Sequence, residues 1–241
     1  MACITAKLTH FRALNAQIRA LDDQEIEVQE VIGQRYLGCG LSDKRLTIHG
    51  TPGNGLGQYL NGSTIEVFGN AQEAVGDTMN DGTIIVHGNV GDACGYAMRG
   101  GRIFVQGNCG YRCGIHMKAY ADRFPVLVVG QTCGSFLGEY LAGGLIIVLG
   151  LGQNGAYPVN NFCGTGMHGG KIVIHCEQAP EGLAEQVSVR KAEPQDLAQI
   201  APHLEAFSEF FGTDAEQLKS QTYYVLTPNP EAGYKQLYTY E

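Results

Sequence analysis

The sequence predicts an all-β core, a right-handed parallel β-helix of about seven coils, with an N-terminal capping helix and a helical C-terminal tail. Three observations lead to this fold class. Thirty-one of the 34 glycines lie between Gly33 and Gly170. Seven apolar, strand-like runs recur in that region, and most are 19 residues apart. That spacing is too short for a strand, a helix and two loops, but suits one turn of a solenoid.

The runs predict both the interior and the inserted loops. They read RLTIHG, TIEVFG, TIIVHG, RIFVQG, PVLVVG, LIIVLG and KIVIHC, and their last residues are 19, 19, 19, 23, 20 and 26 residues apart. Residues two apart on a strand share a face. We therefore expect one buried face made of Ile65, Val67, Ile84, Val86, Ile103, Val105, Val126, Val128, Ile146 and Val148. The longer steps predict loops at residues 116–124 and 153–165, where contacts with other molecules tend to lie.

Glycine and asparagine are expected at the turns, because both tolerate positive φ. The predicted structural turns, aligned along one edge, are Gly50, Gly69, Gly88, Gly107, Gly130 and Gly150, with Asn70, Asn89 and Asn108 following three of them. A second glycine series has the same 19-residue interval: Gly57, Gly76, Gly95 and Gly114. We expect positive φ at Gly95, so that a branched side chain there would be strained.

The chain divides into three predicted segments. Residues 1–32 hold an N-terminal helix and a lead-in strand, residues 33–177 the glycine-rich β-helix, and residues 178–241 the helical tail. Helical spacing predicts one helix over residues 10–21, capping the first coil, and one over residues 194–211 that begins at Pro194. Residues 213–216, Thr-Asp-Ala-Glu, suggest a capping box that opens a second tail helix. The tail ends with Tyr234, Tyr238 and Tyr240 close together.

The central residue of each strand should point away from the interior. In chain order these residues are Thr47, Glu66, Ile85, Phe104, Leu127, Ile147 and Val173. The last five form an apolar stripe of packing or interface residues, and a patch of that size is normally covered. The cover could be the tail helix or a partner protein. We favour the tail helix, because an isolated amphipathic helix needs a surface.

Candidate chemical groups are few. Five cysteines could approach one another, but their spacing matches neither a ferredoxin nor a paired zinc site; they are Cys94, Cys109, Cys113, Cys133 and Cys163. Three histidines, His49, His87 and His175, share a strand position but lie too far apart to hold one small ion. The pair Glu73 and Asp92 could be neighbours, yet has no basic or acidic partner for polysaccharide cleavage. We predict no catalytic, cofactor-binding or metal-binding residue in this chain.

Composition limits the partners and the compartment. The formal charge is −8 with no basic cluster, which argues against nucleic acid or an anionic membrane as a partner. The N-terminus lacks the pattern of a signal peptide, and no apolar run is long enough to span a bilayer. Eight cysteines in a chain of this kind favour free thiols and a cytoplasmic location.

The repeats resemble a known family. The segments GDACGYAMRGGRIFVQGNCGYRCG, GNAQEAVGDTMNDGTIIVHGN and GEYLAGGLIIVLG look like the GXGXG domain at the C-terminus of the glutamate synthase large subunit. That domain is also similar to one of the subunits of formylmethanofuran dehydrogenase. LTHFRALNAQIRA followed by EIEVQEVIGQRYLGCGL resembles the start of the free-standing form of the domain. The resemblance covers roughly residues 8–177, and the tail from Val187 resembles the archaeal-type glutamate synthase subunit more weakly.

The resemblance implies a β-helix that is not where catalysis occurs. We therefore expect a non-catalytic scaffold subunit that serves glutamate formation from glutamine and 2-oxoglutarate. Its expected partners are an amidotransferase (glutaminase) subunit and an FMN-binding synthase subunit, with FMN and the iron–sulfur cluster in those partners and no cofactor in this chain. The alternatives are a formylmethanofuran dehydrogenase or methylamine–glutamate methyltransferase subunit, or a stand-alone β-helix lyase or hydrolase, which would require an acid–base set on one lateral face.

Overall fold

The computed structural model describes residues 1–231, which form eleven strands and three helices. In chain order these are β1 (Ala2–Thr5), α1 (Phe11–Ala20), β2 (Glu25–Ile32), β3 (Arg45–Thr51), β4 (Asn61–Phe68), β5 (Asp81–Val86), β6 (Arg102–Val105), β7 (Val126–Val129), β8 (Ala142–Val148), β9 (Gly169–His175), β10 (Val187–Lys191), α2 (Pro194–Phe211), α3 (Ala215–Lys219) and β11 (Tyr223–Pro228). The seven apolar runs of the sequence become β3 to β9.

All described strands belong to one sheet, in the order β1-β2-β3-β4-β5-β6-β7-β8-β9-β11-β10. From β1 to β9 each strand pairs in parallel with the next. β11 then pairs antiparallel with β9, and β10 pairs antiparallel with β11. Each repeat therefore adds one strand beside the last, and the final pair changes the direction of the sheet.

The predicted fold class is wrong. The described strands form a single open sheet with three helices, an arrangement that indicates an α/β protein rather than an all-β, right-handed parallel β-helix. The physical reason is that each repeat contributes only one strand. The rest of a repeat is tight turns, whose only strand-like pairing is a row of isolated bridges such as Val90 with Cys109 and Cys109 with Cys133.

The second glycine series packs against the isoleucines of the inner face. A Cβ on Gly57, Gly76 or Gly114 would lie 2.6, 2.4 and 2.4 Å from the δ-methyl groups of Ile84, Ile103 and Ile146 respectively. All three glycines also have φ between +64° and +67°. Each left-handed turn thus leaves room for an isoleucine of the following strands, and this contact closes the core.

Helix α1 covers the first turn, and its range differs from the predicted one by a residue at each end. Leu14 and Ile18 are buried in the main core. Asn15 Nδ2 donates to the Arg35 carbonyl at 3.1 Å, and Arg19 donates to the Cys39 carbonyl. The edge of the sheet is nevertheless β1, a strand that the sequence did not predict.

Helix α2 covers the outward face of β6 to β9. A second core joins Ile200, Leu204 and Phe207 of the helix to outward side chains of the sheet, namely Phe104, Val126, Val128, Leu145, Ile147, Leu149 and Val173. The rings of Phe104 and Phe210 meet edge to face at 5.1 Å. The tail helix therefore occupies the place for which a partner protein was the alternative.

One residue of the predicted stripe is wrong. Val128, not Leu127, pairs with both Phe104 and Ile147, so the stripe runs Ile85, Phe104, Val128, Ile147, Val173. Leu127 lies in the main core with Ile103 and Ile146. The register step from β6 to β7 is 24 residues, as in Arg102 with Val126, whereas the run ends Gly107 and Gly130 are 23 apart.

The same slip interrupts the predicted glycine edge. Gly107 donates from its backbone N–H to the Gly88 carbonyl at 3.0 Å, and Gln131, not Gly130, donates to the Gly107 carbonyl at 3.1 Å. Gly130 instead takes the register position after Val129, where an added Cβ would lie 2.1 Å from the Gln106 carbonyl oxygen and 2.9 Å from the Phe207 ring. That glycine is needed for close approach between the sheet and helix α2.

The tail is only partly helical. Besides α2 and α3 it contains β10 and β11, which the sequence did not predict. α3 is capped by Asp214 rather than Thr213, and the Asp214 side chain accepts from the backbone N–H groups of Glu216 and Gln217. Asp196 at the start of α2 is buried and accepts from Lys171 at 2.7 Å and Arg190 at 2.6 Å. Tyr234, Tyr238 and Tyr240 lie outside the described residues.

None of the helices within residues 1–231 combines the length and apolar character that crossing a bilayer requires.

Candidate functional site

The cysteines of the repeats lie in the interior. Cys94, Cys109, Cys113 and Cys133 are all buried, and Cys109 and Cys133 face each other across a bridge between turns. Burial raises the pKa of the Cys109 thiol well above its ordinary value, and burial raises the pKa of Cys163 to about 12. Protonated thiols of this kind act as small apolar side chains. Over residues 1–231, no three histidine, cysteine or carboxylate side chains converge to hold a metal ion.

The histidines of the sheet lie on its outward side, in separate contacts. Phe68 stacks between His49 and His87, with ring centroids 5.2 and 4.5 Å apart. His49 approaches a Glu27 oxygen at 2.9 Å, and His87 a Glu66 oxygen at 3.0 Å. His175 contacts the Thr222 carbonyl at 2.9 Å on the last strand pair. These contacts hold strands together and bring no two histidines onto one site.

The predicted polar turn residues bind backbone. Asn89 and Asn108 donate from their N–H groups to the side-chain oxygens of Asn70 and Asn89, both at 2.8 Å. Asp92 Oδ1 accepts from the backbone N–H of Tyr111, also at 2.8 Å. Each side chain thus fixes the turn of the next repeat. Glu73, the predicted neighbour of Asp92, is exposed.

The two predicted loops fold back over the sheet. In the first, Arg123 donates to Asn61 Oδ1 at 3.1 Å and, with Arg102 and Phe124, lines an open polar cleft of about 740 Å³. The second forms part of a cleft of about 440 Å³ with Glu177 and Asp214. Both clefts are open to solvent.

The most distinctive surface is made by the turns, and we call it the turn face. It consists of residues 33–41, 52–60, 71–79, 90–98, 109–117, 133–141 and 159–167. Successive turns are joined by backbone hydrogen bonds, such as Ala93 N–H to the Tyr111 carbonyl at 2.7 Å and Phe136 N–H to the Asn161 carbonyl at 2.9 Å. Equivalent residues therefore stack in columns.

Aromatic rings fill the columns of the last turns. Phe136 lies 5.3 Å from Tyr111 and 4.8 Å from Phe162, and the rings of His116 and Tyr140 stack at 5.2 Å. Phe162 is 58% exposed and Tyr140 37%. The first two turns add exposed Tyr36 and Tyr59, whereas the turns between them carry small side chains at Ala74, Ala93 and Ala97.

A charged pair lies among the rings. Arg112 Nε is 2.8 Å from Glu139 Oε2, and Glu139 is buried. The Arg112 guanidinium also lies 5.0 Å from the centroid of Tyr111 and 5.4 Å from that of Phe136. A cation already occupies one position over these rings, which indicates what kind of group the others can accept.

The exposed residues of two columns have a left-handed backbone. One column is Tyr36, Gly55, Ala74, Ala93, Arg112, Phe136 and Phe162; the other is Gly40, Tyr59, Thr78, Ala97, His116, Tyr140 and Gly166. Their φ values lie between +48° and +75°. Sequence reasoning missed this surface, although the alignment of Phe136 and Phe162 with Gly55 was a signal for it.

Comparison with known proteins places these repeats in a family. The GXGXG motif family matches residues 13–225. An uncharacterized protein of Methanocaldococcus jannaschii is 41% identical over 249 residues, which cover 98% of this chain and 95% of that protein. The match includes the glycine series packed on isoleucines, the turn face and helix α2. The resemblance to the GXGXG domain of glutamate synthase-type proteins is thereby confirmed, and the chain belongs to the GXGXG motif family.

Proposed function

We propose that this chain is a non-catalytic scaffold subunit of a glutamate synthase-type complex. It holds an amidotransferase subunit and an FMN- and iron–sulfur-binding subunit together while glutamate is formed from glutamine and 2-oxoglutarate. The flavin and the cluster belong to the partners. The complex works in the cytoplasm, where reduced thiols such as the eight free cysteines persist.

One observation carries the proposal: the glycine pattern is used for packing. Glycine-rich loops that bind phosphates leave their backbone N–H groups open to a ligand. Here the δ-methyl groups of Ile84, Ile103 and Ile146 fill the space above Gly57, Gly76 and Gly114. This use of glycine favours a rigid body that presents surfaces over a glycine-lined ligand site.

The test is reconstitution with the two expected partners from the same genome. We expect this chain to co-purify with both, and glutamine-dependent glutamate formation to require all three proteins. Alone, it should neither hydrolyse glutamine nor show a flavin spectrum. Glutaminase activity of the isolated chain, or failure to associate with either partner, would refute the proposal.

A further inference from the structure

We propose that the turn face is the docking surface for a basic segment of a partner protein, with arginine or lysine side chains lying on the aromatic rings and beside the carboxylates between them. This inference rests on the proposed scaffold function, and it identifies the surface and the chemistry through which the partner binds.

The first argument is backbone strain. A side chain in the left-handed region costs roughly 1–2 kcal/mol relative to glycine. Gly40, Gly55 and Gly166 show that the two columns accept glycine. Phe136 (φ 64°) and Phe162 (φ 63°) nevertheless carry large rings that remain partly exposed. Mutual stacking returns only part of that energy, about 0.5–1.5 kcal/mol for a ring pair, so a contact outside the chain explains why the rings are there.

The second argument is shape. The turns with Ala74, Ala93 and Ala97 lie between Tyr36 and Tyr59 on one side and the larger aromatic set on the other. Small residues between two groups of rings form a shallow depression. A peptide segment or a protruding loop fits such a surface better than a flat one does.

The third argument is charge. Three carboxylates, Glu73, Asp77 and Asp92, belong to the low turns. Within residues 1–231, none of them forms an ion pair with a lysine, arginine or histidine. The chain as a whole carries a formal charge of −8. An acidic, aromatic surface attracts cationic side chains and repels nucleic acid and a second acidic copy.

The fourth argument is the position of Arg112, which already lies over two rings of this surface. Its guanidinium shows the geometry that a partner's arginine would repeat over Tyr140 or Phe162. Interfaces are enriched in aromatic side chains and arginine, and a few of these dominate the binding energy.

The experiment uses the purified amidotransferase and FMN-binding subunits, titrated separately into the full-length chain. The test variants are Phe162→Gly and Phe136→Gly, with Glu73→Gln for the charge. Phe68→Ala is the matched control, because Phe68 is 44% exposed and also stacks between rings, but on the outward side of the sheet.

We expect each glycine variant to weaken the binding of one subunit at least about tenfold. Its unfolding temperature should change by no more than about 3 °C, because lost stacking is offset by relieved strain. Glu73→Gln should weaken binding a few-fold and reduce its salt dependence. Phe68→Ala should bind as the wild type does.

The outcomes are distinguishable. If wild type binds a subunit and both glycine variants bind it equally well, the docking inference is wrong and the scaffold function stands. If wild type binds neither subunit, both fail. If the glycine variants lose their fold along with binding, the rings are structural and the inference is wrong. If wild type instead forms a dimer in sedimentation that Phe162→Gly abolishes, the face serves a second copy rather than a basic partner, and the inference is wrong as well.

Discussion

Substituting alanine at Gly114 and at Gly95 compares two glycines of one series whose surroundings differ. Their φ values are nearly the same, +67° and +71°. An alanine Cβ at position 114 would lie 2.4 Å from the δ-methyl group of Ile146, whereas at position 95 the nearest atom is a methyl group of Leu127 at 3.8 Å. The difference arises because leucine takes the register position that isoleucine holds in the neighbouring strands.

The expected magnitudes follow from these distances. Left-handed φ costs alanine about 1–2 kcal/mol at either site, and the reduced freedom of the unfolded chain returns about 0.4–1 kcal/mol. Gly95→Ala should therefore destabilise the protein by about 1 kcal/mol. Gly114→Ala adds overpacking against a fully buried Ile146, about 1–3 kcal/mol more. A branched residue, as in Gly95→Val, should cost more than alanine at the same position.

The assay is urea unfolding of both variants, of Ile146→Val and of Gly114→Ala combined with Ile146→Val. Valine lacks the δ-methyl group that meets the new Cβ, so the double variant should recover about 1 kcal/mol relative to the sum of the single changes. Equal destabilisation by the two alanine substitutions, or strict additivity in the cycle, would contradict the packing account of this glycine series.

Three further predictions concern the tail and the thiols. Phe104→Asp places a charge under helix α2 and should lower the unfolding free energy by about 3 kcal/mol or more and speed limited proteolysis of the tail; an unchanged digestion pattern would contradict the packing. Hydrogen bonds from Arg190 and Lys171 hold the pKa of Asp196 well below its ordinary 3.8. Its stabilisation is thus complete above that ordinary value and is lost as the pH falls toward the lower, folded-state pKa, so urea midpoints of Asp196→Asn should vary less below about pH 4 than those of wild type. With a thiol reagent, Cys3 and Cys39 should react in the native chain and the six buried thiols only after unfolding; rapid reaction of all eight would contradict the buried core.

The repeats could be predicted because short-range pattern decides them. Alternation within runs such as TIEVFG and TIIVHG gave the strands β4 and β5, and helical spacing gave α1 and α2. The fold class could not be obtained in the same way. Whether a turn segment forms a second sheet or only isolated bridges depends on backbone pairing between repeats, to which the apolar period is blind.

The error at Leu127 has a similar cause. All four residues of β7 are buried, because its inner side faces the core and its outer side faces α2. An apolar run of that kind has no alternation from which to read its phase, so the final glycine was the only guide, and it was one residue out. β10 and β11 were missed because their partners are distant in sequence, as in Val187 with Pro228.

The turn face was missed for a different reason. Its residues share neither a strand period nor a helix period, and the feature that unites them is the left-handed backbone at the same place in each turn. Phe136 and Phe162 appear isolated in the sequence. Only the hydrogen bonds between turns bring them together with Tyr111.

The two ends of the sheet differ in their exposure to aggregation. β10 ends in Arg190 and Lys191, and charged side chains on an edge strand oppose pairing with another chain. β1, Ala-Cys-Ile-Thr, carries no charge and has one open side. Its defence is its length of four residues, which allows few hydrogen bonds to an incoming strand. Fibre-like self-association of a destabilised chain would therefore begin at the amino-terminal edge and grow from there in one direction.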